Sequence, residues 1–353
     1  MRIGIPKEIK TLEGRVALVP DAVSDLIKAG HELHIQSEAG LLSGFSDEDY
    51  KAIGAVIEPD AEHLYGSCEM IVKVKEPVAD DIKYLREDHL LFCYLHLAAE
   101  PDLTASLLDI GLTGVAFETV ELDDGSLPLL APMSIIAGKI STQVGTHLLH
   151  RPAGGKGVLL GGLPSTERGN VVVLGGGAAG GHAASLAAST GANVVVFDKR
   201  QDRLAQMMAL GSNVTALYPY QQLVADTVAQ ADLVVGAVLI PGAKAPHVVS
   251  EEMIKRMEPG SVVADISIDQ GGCIETSRAT TWNEPTFEKH GVVHFTVTNM
   301  PGAVPRTATY AISAAILPYV QRLATADWYQ VEALQRGVNV KAGQIIHPAL
   351  KEL

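Results

Sequence analysis

Arg15, Lys75, His96 and Asp269 are the residues of this chain whose types and placement best suit them to do chemistry together. An arginine forks onto a carboxylate through two parallel N–H···O bonds, and a lysine adds a second positive charge. A histidine titrates near neutral pH and can shuttle a proton. Taken singly each is ordinary, since a lone lysine is usually solvated and a lone histidine is more often structural. The argument rests on where they stand. Lys75 ends the apolar run Met70–Lys75, His96 follows the run Leu90–Leu95, and Arg15 lies in a loop after Lys7 and Glu8. Ligands of doubly wound sheets sit beyond the carboxyl ends of the strands. If the two runs are parallel neighbours, Lys75 and His96 protrude on one edge, within reach of Arg15.

The elements that must hold these residues alternate along the chain. Strand-like runs at Arg2–Ile5, Glu32–Gln36, Met70–Lys75, Leu90–Leu95 and Thr113–Ala116 are separated by helix-like segments such as Asp21–Ala29 and Asp102–Leu108. The pattern recurs at Val171–Leu174, Asn193–Phe197, Leu233–Val238, Ser261–Ile266 and Val292–Val297. Runs that are apolar without alternation suit parallel sheets covered on both faces. The expectation is an α/β fold of two domains, in which a doubly wound domain (129–304) is inserted into a second α/β domain made from 1–128 and 305–353. Helices at Pro132–Leu149 and Ala308–Leu323 would connect the two, with a cleft between them. The tail from Leu334 to Leu353 is weakly patterned.

The strongest local signal is VVVLGGGAAGGHAASLAAST, in which Gly175, Gly177 and Gly180 satisfy G-x-G-x-x-G after an apolar run and before an Ala-rich helix. The first glycine permits the tight turn, the second lets backbone approach a pyrophosphate, and the third lets helix and strand pack closely. Asp198, at the end of NVVVF, is placed to bind the adenosine ribose hydroxyls and repel a 2′-phosphate. That favours NAD over NADP, although Lys199 and Arg200 pull the other way. The other exits, Leu239-Ile240-Pro241-Gly242, Ser267-Ile268-Asp269-Gln270-Gly271-Gly272 and Thr298-Asn299-Met300-Pro301-Gly302, are expected to line the nicotinamide half. Asp269 is the one ionisable group among them.

Bulk properties exclude several function classes. The net charge of -14, from 27 basic and 41 acidic residues, repels nucleic acid and anionic lipid. The longest apolar stretches are too short for a bilayer, and MRIGIPKEIK has no signal core, so a soluble cytoplasmic protein is expected. Cys68, Cys93 and Cys273 are scattered and odd in number, which gives neither a disulfide framework nor zinc spacing.

Several strings resemble alanine dehydrogenases in consistent order across residues 1–320. They are MRIGIPKEIK-x₄-RVAL-x-P, KVKEP, YLHLAAEP, GSLPLLAPMS, GGKGVLLGG, GAVLIPGAKAP, DISIDQGG and NMPGAVPRT. The resemblance implies NAD-dependent oxidative deamination of L-alanine to pyruvate and ammonium, and the reverse amination, by a homo-oligomer, a hexamer in the family. It implies Arg15 and Lys75 as carboxylate anchors, His96 as the proton donor and acceptor, and Asp269 as the second catalytic group. The cofactor contacts it implies are Ser134, Asp198, Arg203, Val238, Leu239, Arg278, Val297, Thr298, Asn299 and Met300; they join Gly175, Gly177, Ala178, Ala179 and Gly180 of the glycine turn and Ile266, Ser267, Ile268 and Asp269 of the strand exit as the expected cofactor site. Pro219 departs from the Ser or Asn common near the adenine. Arg322 and Ala326 fall near the metal-binding Glu and His of some relatives, so no metal is expected. The chain also diverges after about residue 326. Two alternatives share the architecture: an NAD(H)-binding component of a proton-translocating transhydrogenase, and a saccharopine-dehydrogenase-like enzyme.

Overall fold

A computed structural model describes residues 1–238 and 245–351. The chain forms two compact units, Met1–Met133 with Gly302–Leu353, and Ser134–Pro301.

In the first unit, strands β1 (Arg2–Ile5), β2 (Glu32–Gln36), β3 (Val56–Glu58), β4 (Met70–Val72), β5 (Leu90–Cys93) and β6 (Thr113–Ala116) pair in parallel in the order β3-β2-β1-β4-β5-β6. That order reverses direction between β1 and β4, which makes their carboxyl ends a topological switch point. β4 and β5 are buried along their whole length, as expected of strands covered on both faces. The core beneath β4, β5 and β6 gathers Leu64, Tyr65, Ile71, Leu91, Leu107 and Val340. The first helix, Pro20–Lys28, begins with a proline at its first turn and carries Asp21 early and Lys28 late, which suits its dipole.

The second unit holds β7 (Asn170–Leu174), β8 (Asn193–Phe197), β9 (Val214–Leu217), β10 (Leu233–Gly236), β11 (Val262–Asp265), β12 (Thr286–Lys289) and β13 (Val292–Phe295), in the order β9-β8-β7-β10-β11-β13-β12. All pairs are parallel except β12 with β13. This is the dinucleotide-fold order, with its switch point between β7 and β10.

Some strand ends differ from expectation. β4 stops at Val72 rather than Lys75, β5 at Cys93 rather than Leu95, and β11 at Asp265 rather than Ile266, so Lys75 joins His96 and Asp269 in a loop or 3-10 turn beyond the ladder. Val297 likewise lies past β13. The tail from Leu334 is ordered structure: the helix Glu332–Gly337 leads into β14 (Val338–Lys341) and β15 (Gln344–Ile345). β14 adds antiparallel to β6 through a bulge at Val338/Val340 and so extends the first sheet.

Candidate functional site

At the switch point of the first unit, the loops leaving β1, β4 and β5 deliver Arg15, Lys75 and His96. Arg15 is 2% exposed. Its guanidinium forks onto Glu13, with Nε 2.6 Å from one carboxylate oxygen and Nη2 2.5 Å from the other, and Nη1 lies 3.1 Å from the Met133 sulfur. Burial works against the Arg15 charge, and the Glu13 bonds more than offset it, so its pKa is raised. The loop is tied down where Val16 N–H donates to the Thr309 hydroxyl at 3.1 Å.

Lys75 is half-buried, with its ammonium 3.4 Å from Glu76. Lys10 pairs with the other Glu76 oxygen. Burial pushes the Glu76 carboxyl up, but Lys75, His96 and Lys10 hold it down at about 2. His96 adopts a left-handed backbone, φ 49°. Its imidazole lies parallel to the Tyr94 ring, centroids 5.7 Å apart. Among the described residues neither imidazole nitrogen has a hydrogen-bond partner. Burial first, and then the Lys75 charge, push the His96 pKa down to about 3 despite Glu76. The imidazole is therefore neutral at physiological pH, with both ring nitrogens open toward the edge that Lys75 and Arg15 also face.

Beneath these side chains lies a layer of carboxylates. Glu8 accepts from Val74 N–H at 2.6 Å and Lys75 N–H at 3.3 Å, while its other oxygen is 3.3 Å from the buried Lys73 ammonium. Lys73 also meets Asp81 at 2.8 Å. Glu118 accepts from His96 N–H at 2.6 Å and from Leu95 N–H. Sequence reasoning missed Glu8, Glu13, Lys73, Glu76 and Glu118. The strand-exit rule could have found Glu118, two residues past β6.

In the second unit the glycine turn is cramped enough to explain its composition. Gly175 has φ 99°, and a Cβ there would lie 2.5 Å from the Ala237 carbonyl oxygen. A Cβ on Gly180 would lie 1.8 Å from the Gly175 oxygen. Gly177 caps the helix Ala178–Ser189, whose first residues are Ala178 and Ala179, and a Cβ on Gly177 would meet nothing nearer than Arg203 at 3.6 Å. A backbone left open at a helix N-terminus is a ready anion cradle. Asp198 accepts from Gly176 N–H at 2.7 Å and from Arg200 N–H at 2.8 Å, with Arg203 at 3.5 Å. The acidic residue and the turn are thus bonded directly. Ser134 is half-buried in the first turn of the helix Ala131–Leu148. A Cβ at Gly138 of that helix would lie 2.1 Å from the Ala179 oxygen, so the two helices touch.

The strand exits converge as well. Ile266, Ser267, Ile268 and Asp269 share one 3-10 turn, Ile266–Gln270. The Ser267 hydroxyl donates to the Val238 carbonyl at 2.8 Å, linking the exits of β11 and β10. Asn299, with φ 57°, donates its N–H to Asp269 at 3.2 Å, linking β11 to the exit of β13. Val297 bridges Thr280, and Thr298 N–H donates to the Thr280 carbonyl at 3.1 Å; Met300 is buried in the turn that follows. Arg278 stacks over Phe287 of β12 at 4.4 Å. Leu239 lies outside the described residues. Asp265, not foreseen, anchors this loop by accepting from the amides of Ser267, Cys273 and Ile274 and from the Ser277 hydroxyl. Among the described residues no group of three His, Cys, Asp or Glu could hold a metal. Nor is any helix there long and apolar enough to cross a membrane.

These two strand edges agree with what the chain resembles. Residues 4–137 match the alanine dehydrogenase/PNT N-terminal domain and residues 141–348 the C-terminal domain. The chain is 49% identical over 356 aligned positions to an alanine dehydrogenase of Methanococcus maripaludis, covering 99% of this chain and 95% of that protein. The figure is 47% for an alanine dehydrogenase of Bacillus subtilis, with 99% and 94% covered. Among solved structures, an L-alanine dehydrogenase superposes with a TM-score of 0.94 at 48% identity, covering 100% of this chain and 98% of that one. By family match, sequence and fold alike, the chain belongs to the alanine dehydrogenase/PNT family.

Proposed function

We propose that this chain catalyses the NAD-dependent oxidative deamination of L-alanine to pyruvate and ammonium, and the reverse amination. The observation that carries the reading is the first unit's strand edge, where a neutral imidazole with no hydrogen-bond partner among the described residues shares its surroundings with Arg15 and Lys75. A binding module needs no such proton acceptor. NAD fits the second unit, because Gly175 and Gly180 leave no room for a side chain and Asp198 stands bonded to the turn.

NAD, held at the Gly175–Gly180 turn and Asp198, would supply a hydride acceptor for the α-carbon of alanine, whose amino group must first give up a proton so that an iminium can form. The chain's own residues do the rest. Arg15 and Lys75 hold the substrate carboxylate, with Lys75 donating from its ammonium. His96 takes a proton from the water that attacks the imino carbon and returns it to the departing amine. Asp269, anchored by Asn299 in the second unit, is the second catalytic group that the family resemblance implies. Over the cycle, alanine, water and NAD⁺ give pyruvate, ammonium, NADH and a proton. The cofactor contacts at Ser134, Arg203, Arg278 and the strand exits, together with a cytoplasmic homohexamer, belong to the same reading. Mass photometry would test the assembly.

Oxidation of NADH by purified protein, followed by absorbance, is expected to require both pyruvate and ammonium. His96→Ala is expected to lower turnover by about a hundredfold or more with NAD affinity near normal. NADH oxidation that ignores pyruvate and ammonium, or a His96→Ala protein within a few-fold of the parent, would overturn the proposal.

A further inference from the structure

We propose that Glu118 is the positioning residue for His96, acting through the main chain rather than through the imidazole. The inference rests on the proton-shuttle role given to His96 above. β6 lies beside β5 in parallel register, with Ala116 opposite Cys93. The chain leaves β6 in a short 3-10 turn, Phe117–Thr119, which aims Glu118 at the exit of β5. There one carboxylate gathers two successive amides, Leu95 N–H at 3.2 and 3.3 Å and His96 N–H at 2.6 Å.

These bonds have a specific task. His96 carries φ 49°, a left-handed conformation that an L side chain resists and that persists only where the surroundings over-determine it. Bonds to a charged acceptor are about twice as strong as neutral ones, and Glu118 supplies two at that residue and the one before it. Tyr94 restrains the other half of the geometry. Its ring lies parallel to the imidazole within 12°, and its hydroxyl is tethered to the Leu129 carbonyl at 2.6 Å. Tyr94 therefore sets the ring plane, and Glu118 sets the backbone from which the ring projects. Neither takes a proton from substrate.

The test is a double-mutant cycle with an independent structural readout. Glu118→Ala is expected to lower turnover about tenfold or more, leave NAD binding by fluorescence titration unchanged, and speed amide exchange at Leu95 and His96 about tenfold or more. Glu118→Gln keeps a carbonyl that can accept the His96 N–H, and is expected to hold turnover within about fivefold. In a His96→Ala background, Glu118→Ala is expected to cost less than about threefold. Equal losses in both backgrounds, or unchanged exchange at Leu95 and His96, overturn the proposal. Should Glu118→Ala not fold, Glu118→Asp, one methylene short, takes its place, and turnover and amide exchange decide in the same way. A His96→Ala protein that keeps its turnover removes the shuttle role instead, and the exchange rates still decide whether Glu118 holds the loop.

Discussion

Lys73→Met puts the carboxylate layer beneath the first unit's strand edge to its hardest test. Lys73 is 1% exposed and holds its ammonium between Asp81, at 2.8 Å, and Glu8, at 3.3 Å. Methionine fills nearly the same volume without the charge, so the change in packing stays small and the change in electrostatics stands alone. Removing one partner of a buried ion pair costs about 3–5 kcal/mol, because the remaining charge is left uncompensated. At about 2–4 °C per kcal/mol for a domain of roughly 150–250 residues, melting should drop by about 6–20 °C at neutral pH. The pH dependence carries a sign. Burial already raises the Glu8 pKa with Lys73 present, and removing the cation raises it further. A carboxylate whose folded pKa lies above its unfolded value favours the fold below the unfolded pKa and loses that favour as pH rises through the folded one. The gap between variant and parent should therefore narrow from pH 7 toward pH 5. Differential scanning fluorimetry across that range measures it. A variant melting within about 2 °C of the parent at pH 7, or a gap that widens on acidification, would refute the reasoning. Because Glu8 also holds the Val74 and Lys75 amides, the KM for pyruvate should rise in the same variant.

Other expectations follow from the same geometry. The His96 pKa of about 3 predicts no imidazole break in kcat/KM for alanine between pH 5 and 8 in the free enzyme. In stability terms, a depressed imidazole leaves the fold undisturbed above its unfolded pKa and costs stability progressively as pH falls below that toward 3; His96→Gln should flatten this acid loss, and unchanged acid unfolding would contradict it. Asp198→Gly should relax the rejection of NADP, read as the ratio of NADP to NAD affinities; an unmoved ratio would separate Asp198 from the ribose. Gly180→Ala forces a methyl to 1.8 Å from the Gly175 oxygen, so NAD affinity should fall at least about tenfold or the second unit should melt earlier. Parent-like affinity and melting would mean the turn can yield.

The parts of the fold legible in the sequence were those with two covered faces. β4, β5, β10 and β11 are wholly buried, and such strands announce themselves as apolar runs, broken here only by Asp265 at the end of β11. Edge strands do not. β3, β9, β12 and β15 are half exposed, so Val-Ile-Glu or Thr-Phe-Glu-Lys reads as loop until a neighbour is known. The same contrast divides the site. The glycine spacing and the strand exits pointed to the candidate side chains, because rules of local geometry place them. The glutamates behind them depend on pairings across the sheet. Glu8 reaches residues 66 and 67 positions away, distances that no local pattern encodes; Glu118 stands at a strand exit, but its reach back over 22 positions to the His96 amide depends on the pairing of β5 with β6.

Glu8 and Glu118 have a consequence for the kind of anion this edge can accept. In many phosphate sites the main chain itself is the host, offering a row of amides. Here the amides of Val74, Lys75, Leu95 and His96 already serve the protein's own carboxylates. On the proposed reading, these four amides are not available to a visiting anion, and the grip falls to side-chain cations such as Arg15 and Lys75. Such a grip suits a small planar group on few donors, weakens with ionic strength, and can be rewritten by a single substitution in a way that a main-chain host cannot.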